Sequence, residues 1–294
     1  MKFLGIFATI ALCFLSQNKV EARTIKAVAS FTVLADVIKQ VGGTHVNVIS
    51  LVPPEGDPHE FEPSPDDAKH LRTADLIFIS GEGLETWFSR LALVSGYKGR
   101  PIVVSKGVNT RMIKEDGHII VDPHVWNSIS NVEIWVKNIA QVLSKADPED
   151  ARDFASNAAR YIIQLQALDR DAHARLDPIP ISRRKILTNH DAFGYFGRDY
   201  GITFLSPVGI STEAEPSAAD VATIIRQIRQ QGGKVFFFEN STDPRLVQQI
   251  AAEAGVHSGG KLYVESLSPP NGPAPTYMAM FQHNVDQIVK ALSH

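Results

Sequence analysis

Three histidines stand out for the residues around them. His124 sits in Asp122-Pro123-His124-Val125-Trp126-Asn127, directly after the short apolar run Ile119 to Val121. His59 lies upstream in Glu55-Gly56-Asp57-Pro58-His59-Glu60-Phe61-Glu62-Pro63-Ser64. His190 lies downstream in Leu187-Thr188-Asn189-His190-Asp191-Ala192-Phe193-Gly194-Tyr195. Each is flanked by acids and falls at an expected loop or strand end. A neutral imidazole carries a lone pair that can bind a metal or take a proton. Histidines spread this widely predict a site assembled by folding, with one ligand from each region.

The elements that must bring them together follow from the hydrophobic pattern. Thr24 to Ala29, Val46 to Leu51, Asp75 to Ser80 and Pro101 to Ser105 read as strands. Helices are expected over Phe31 to Val41, from the Ser64-Pro65-Asp66-Asp67 cap to Thr73, and over Leu84 to Leu93. Lys106 to Gly117 reads as a polar loop, and Ser130 to Ala146 as a helix. Asp147-Pro148-Glu149-Asp150 opens the longest helix. Its stripe is Ala151, Phe154, Ala158, Ile162, Leu165, Leu168, Ala172 and Leu176, and Pro178 and Pro180 end it. The alternation then resumes. Strands are expected over Lys185 to Thr188, Thr203 to Ser206, Lys234 to Glu239 and Lys261 to Val264. Helices are expected over Ala192 to Tyr200, Ser217 to Gln230, from Asp243-Pro244 to Gly255, and over Tyr277 to Leu292. Strands alternating with helices mean parallel βα units. The expected architecture is therefore α/β: an N-terminal lobe (23–147), a linking helix (148–177) and a C-terminal lobe (178–294). In open α/β sheets ligands sit outside the carboxyl ends of the strands. That edge holds His190, just past Thr188, and Glu265, just past Val264; Glu239 ends a strand in the same lobe.

Composition narrows the function. The chain has 294 residues and a net charge of -3, which argues against a nucleic-acid partner. Lys2, the apolar run Phe3 to Leu15 and Val20-Glu21-Ala22 form a signal peptide (1–22), with cleavage expected after Ala22 and a mature start at Arg23. The single cysteine, Cys13, lies inside that leader. A lipoprotein reading at Cys13 is disfavoured, since Leu12 is large where a small residue is expected and the apolar run continues beyond.

The ordered set of segments resembles the zinc/manganese-binding solute-binding proteins of ABC transporters, the cluster A-I family. The matching stretches are Asp57 to Pro65, Asp122 to Trp126, Asn189 to Phe196, Ile210 to Ser217, Val235 to Asn240 and Leu262 to Leu267. They span nearly all of the mature chain. The resemblance implies two α/β lobes with the metal site in the cleft between them, and a periplasmic protein that hands metal to an ABC permease in the inner membrane. It implies a monomer, and a periplasmic zinc chaperone as a further partner. By resemblance His59, His124 and His190 are metal ligands. Glu265 stands where the family usually has an aspartate as the fourth, and Glu239 is the substitute candidate. Asp122, Asp191, Glu215 and Glu239 are candidates for orienting the imidazoles.

Three neutral imidazoles and a carboxylate suit tetrahedral Zn²⁺. Manganese prefers more oxygen ligands, and related manganese binders tend to carry a carboxylate where this chain has His190. Zinc is the expected cargo and manganese the alternative. The long loop rich in histidine and acids that many zinc members carry is reduced here to Glu115, Asp116 and His118. A zinc hydrolase would need an open coordination position and a general base; Glu265 closes the shell, and no such base is evident. An adhesin would leave the cleft unused. His45, His70, His118, His173, His257, His283 and His294 read as surface or capping residues, and Trp126, Trp135, Phe193 and Phe196 as core.

Overall fold

The computed structural model describes residues 24–115, 117–210, 212, 217–231 and 234–293. The leader with Cys13, the mature start at Arg23, Asp116 and Glu215 lie outside the described residues. The first half runs β1 (Ile25–Ala29), α1 (Thr32–Gly42), β2 (Val46–Ser50), α2 (Pro65–Thr73), β3 (Leu76–Ile79), α3 (Phe88–Ser95) and β4 (Ile102–Val103). A hairpin of β5 (Met112–Glu115) and β6 (His118–Val121) follows, then α4 (Ile129–Ala146) and the long α5 (Ala151–Leu176). The second half runs β7 (Lys185–Leu187), α6 (Gly194–Tyr200), β8 (Thr203–Leu205), α7 (Ala218–Gln231), β9 (Val235–Glu239), α8 (Arg245–Ala254), β10 (His257–Leu262) and α9 (Tyr277–Leu292).

Each half builds one sheet, ordered β2-β1-β3-β4 and β10-β9-β7-β8, with parallel pairing throughout. Parallel strands need crossovers, so the loops leaving their carboxyl ends collect along one edge. Local chemistry sets several boundaries. Ser64 and Asp67 form a reciprocal capping box with Pro65 in the first turn of α2. Thr276 caps α9 by accepting the Ala279 N–H at 3.2 Å. α3 and α8 stop at Gly96 and Gly255, both left-handed.

Helix α5 is the spine. Phe154, Ala158, Tyr161, Leu165, Leu168, Ala172 and Leu176 are buried along it, and it packs on α1 and α4 from the first half and on α6 and α9 from the second. A single apolar core therefore runs from β1 through α5 to α9. A smaller one, with Ile228, Phe236, Val247 and Ile250, fills the outer side of the second lobe. Buried hydrogen bonds cross between the lobes. Trp126 Nε1 donates to the Val264 carbonyl (2.6 Å), the Tyr277 hydroxyl to the Trp126 carbonyl (2.8 Å), and the Tyr277 N–H to Asp36 (2.9 Å).

The structure corrects the sequence pattern in four places. α3 begins at Phe88 rather than Leu84. Gly81, Glu82 and Gly83 all have positive φ, and the half-buried Glu85 carboxylate turns back to take the N–H groups of Ser80 and Gly81. α5 begins at Ala151, because the Asp147 carboxylate takes the N–H groups of Glu149 and Asp150 and holds them in a turn. The polar loop contains β5, which pairs with β6 just beyond it in a hairpin whose signal was the Asp116-Gly117 pair between two apolar-containing runs. The last strand covers His257–Leu262, not Lys261 to Val264. Its glycines obscured it: a Cβ at Gly259 would lie 2.4 Å from the Phe237 ring, so only glycine lets β10 pair closely with β9.

Because one core is shared, the two lobes are expected to unfold in a single cooperative transition. Trp126→Ala should lower stability by about 3–5 kcal/mol without splitting that transition. Calorimetry resolving two separate transitions in the parent protein would contradict the shared core.

Candidate metal centre

Each expected histidine is delivered by a loop with its own fastening. His59 follows β2. Asp57 Oδ1 accepts the His59 backbone N–H at 2.7 Å, Trp87 Nε1 donates to the Pro58 carbonyl at 2.8 Å, and Phe61 stacks edge-on against Trp87. His124 follows β6, where Asp122 Oδ1 takes both its backbone N–H (3.0 Å) and its ring Nδ1 (2.9 Å). His190 follows β7 and bridges to Val208. Its ring Nδ1 meets Glu239 Oε2, while Glu239 Oε1 accepts the N–H groups of Asn189 and His190. Glu265 lies past β10, on backbone held by Asn284 and Asn240 side chains rather than by the sheet.

With every Nδ1 of His124 and His190 occupied by a carboxylate, the Nε2 atoms turn inward. His59 Nε2 is 3.2 Å from His124 Nε2, which is 3.4 Å from His190 Nε2. Glu265 Oε1 lies 2.8, 3.1 and 3.3 Å from the Nε2 atoms of His59, His124 and His190. A tetrahedron with metal–nitrogen bonds of about 2.0–2.1 Å has edges of about 3.3–3.4 Å, so the four donors are spaced as one small cation would hold them. All four residues are buried, and Trp126 lies edge-on against the His124 ring. Trp126 is thus both core and wall of the site. Beside His190 a cavity of ≈ 280 Å³ is lined by Asp57, Glu60, Thr212, Ser241 and Asp243 among others, an acidic approach to the donors.

Electrostatics show what the cluster needs. Burial opposes a charge on His124, but hydrogen bonds and charges from Asp122 and Glu265 outweigh it and push its pKa up to about 9. His190 is raised well above the usual histidine value for the same reasons: burial works against it, and the Glu239 and Glu265 charges prevail. Burial would raise Glu265, yet the His190 and His59 charges and hydrogen bonds hold it well below the usual carboxylate range. The cluster therefore demands positive charge.

Asp122 and Glu239 stand behind the His124 and His190 imidazoles, and Glu239 is separated from the four-donor centre by the His190 ring. Asp191 does not orient an imidazole: its carboxylate faces Arg111 at 3.9 Å. Glu215 lies outside the described residues. Several residues were missed. Asp57 repeats the spacing of Asp122, two positions before a histidine, and that Asp-Pro-His repeat was readable. Ser241, whose hydroxyl donates to Glu265 Oε2 at 3.2 Å, carried no sequence signal, and neither did Arg111 on Asp122.

Two parallel α/β lobes around one long helix, with a closed histidine–carboxylate cluster between them, define a metal-binding substrate-binding protein of the ABC-transporter class, which works with a membrane permease. The chain belongs to the ZnuA family, described as the periplasmic component A of the zinc-uptake complex, whose model matches residues 27–291. It is 33% identical over 292 residues to the iron-binding protein YfeA of Yersinia pestis, covering 98% of this chain and 92% of that one. It is 30% identical over 302 residues to the manganese ABC transporter substrate-binding lipoprotein PsaA of Streptococcus anginosus, covering 99% and 96%. Among solved structures, the periplasmic zinc-binding protein TroA of Treponema pallidum superposes with a TM-score of 0.85 at 30% identity, covering 92% of this chain and 99% of that one. The family consists of binding proteins, not enzymes, and the cargo is a divalent metal.

The raised His124 sets a pH dependence for the metal-free protein. A pKa raised on folding adds stability that is fully present below the unfolded value of 6.5 and is lost as pH rises through about 9. Denaturation midpoints of chelator-treated protein should therefore fall between those two pH values. A profile that is flat or rising there would show that the His124 pairing is not formed.

Proposed function

We propose that this protein captures Zn²⁺ outside the cytoplasm and delivers it to its ABC permease for import. His59, His124 and His190 bind the ion through Nε2, and Glu265 through its carboxylate. The observation that carries this reading is the buried set of four donors with edges near those of a tetrahedral zinc site. Nitrogen-rich sites favour Zn²⁺ over Mn²⁺ in the Irving–Williams order.

Manganese is the second reading, and one feature favours it. Among the described residues Glu265 Oε2 meets the Ser241 hydroxyl, so the carboxylate can present both oxygens to an ion of higher coordination number. The relatives named for iron and manganese point the same way. Metal analysis of protein purified without chelator, followed by direct competition, separates the two. Zinc at a hundredfold excess over its Kd should stabilise the fold by about 2.7 kcal/mol, and manganese at equal concentration by less. Equal or greater stabilisation by manganese would overturn the zinc reading.

Ligand variants test the assignment of residues. Removing an orienting carboxylate costs about 10–100-fold in metal affinity. Glu239→Ala should fall in that range, and Ala at His59, His124, His190 or Glu265 should cost more. Should Glu239→Ala prove costlier than Glu265→Ala in calorimetric titration, the fourth ligand is misassigned.

The mature protein begins at Arg23 in the periplasm, works as a monomer and receives zinc from a periplasmic chaperone. The intact mass of the exported protein distinguishes that start from a lipid-modified Cys13.

A further inference from the structure

We propose that Arg111 sets how tightly His124 holds the metal, by sharing the one carboxylate that orients this ligand; the inference rests on the metal-site reading above. Asp122 is completely buried and has two jobs. Its Oδ1 receives the ring and backbone N–H groups of His124. Its Oδ2 receives Arg111 Nη1 at 2.7 Å. A carboxylate on the outer nitrogen of a ligating imidazole raises the ring's basicity and tightens its bond to metal. A guanidinium on the same carboxylate draws off part of that negative charge, so the ring becomes a weaker donor.

The surroundings are built to bring the guanidinium in. A Cβ at Gly194, the first residue of α6, would stand 1.9 Å from Arg111 Nη1, so only glycine leaves the space. The backbone of Arg111 is fastened separately. Its N–H donates to the Tyr195 hydroxyl (2.9 Å), which itself donates to the Asp122 carbonyl (2.8 Å), and the Arg111 carbonyl accepts the Asp122 N–H (2.9 Å). These bonds close the base of the β5–β6 hairpin without using the guanidinium. The Asp122 backbone is therefore held without the Arg111 charge, and His124 fastens the carboxylate through Oδ1.

Unlike Asp122, Arg111 is within reach of solvent, with 30% of its side chain exposed. Asp191 Oδ2 lies 3.9 Å from Nη2, a second seat for the same cation. The guanidinium can lean toward Asp191 or toward Asp122, and only the second position weakens His124. Arg111 is thus a positioning residue that moderates affinity, a useful property in a protein that must release its cargo.

The test is metal affinity and dissociation rate, by competition with a chromophoric chelator, for Zn²⁺ and Mn²⁺ on the full-length mature chain. Arg111→Gln and Arg111→Met remove the charge; Arg111→Lys keeps it. Both neutral variants should bind more tightly and release more slowly, by up to about tenfold, the lower end of what such partners command. Arg111→Lys should stay near the parent. Damage to the fold can only weaken binding, so tightening cannot arise from a merely structural role, and either neutral variant that folds decides the matter. Weaker or unchanged binding in the neutral variants, or a lysine variant that behaves like them, would overturn the proposal. His124→Ala serves as the separate control: if it leaves affinity intact, the metal-site reading itself has failed.

Discussion

Four buried donor atoms confined within 4.8 Å of one another strongly favour a cation among them. Three imidazole nitrogens and a carboxylate converge on one volume, and positive charge is what offsets their repulsion. In the metal-free state protons do so, which is why His124 and His190 are pulled toward their charged forms while Glu265 is held ionised. Metal and proton compete for one place. The rest of the structure is the means of enforcing that convergence: the carboxylates that fix ring orientation, the tryptophans that pin the loops, and the shared core that keeps the lobes from parting.

That last element distinguishes this architecture from two lobes on a flexible tether. α5 contributes one face to both halves, and the Trp126 and Tyr277 hydrogen bonds pass directly between them. Opening the cleft wide would expose part of a single apolar core. Motions that admit or release metal are therefore expected in loops and side chains around the site rather than in a wide parting of the lobes. The acidic cavity beside His190 and the half-exposed Arg111 are where such motions meet solvent.

Much of this was readable from the chain. The hydrophobic stripe of α5, the caps at Ser64 and Ser217, and the strand–helix alternation all follow from local rules, and the structure honours them. The three histidines announced themselves through neighbouring acids and prolines. What was not readable depends on distance along the chain. Glu239 and Glu265 both follow apolar strand residues, and nothing local says which faces the centre. The fold turns Glu239 to the far side of the His190 ring and leaves Glu265 among the Nε2 atoms. Arg111 meets Asp122 across the base of a hairpin, and Tyr195 joins that pair from the other lobe. The strand β10 hid behind its glycines: Phe237 leaves no room for a side chain at Gly259, and Gly260 has a positive φ.

The order of the four donors along the chain has a temporal consequence. His59 and His124 belong to the first half, His190 opens the second, and Glu265 comes just before the final helix. A nascent chain lacking its last segment has the three imidazoles but not Glu265, and it also lacks α9, which packs into the common core. No early-folding portion of the molecule can assemble the full centre. The complete four-donor centre therefore forms only once the last segment has joined the common core.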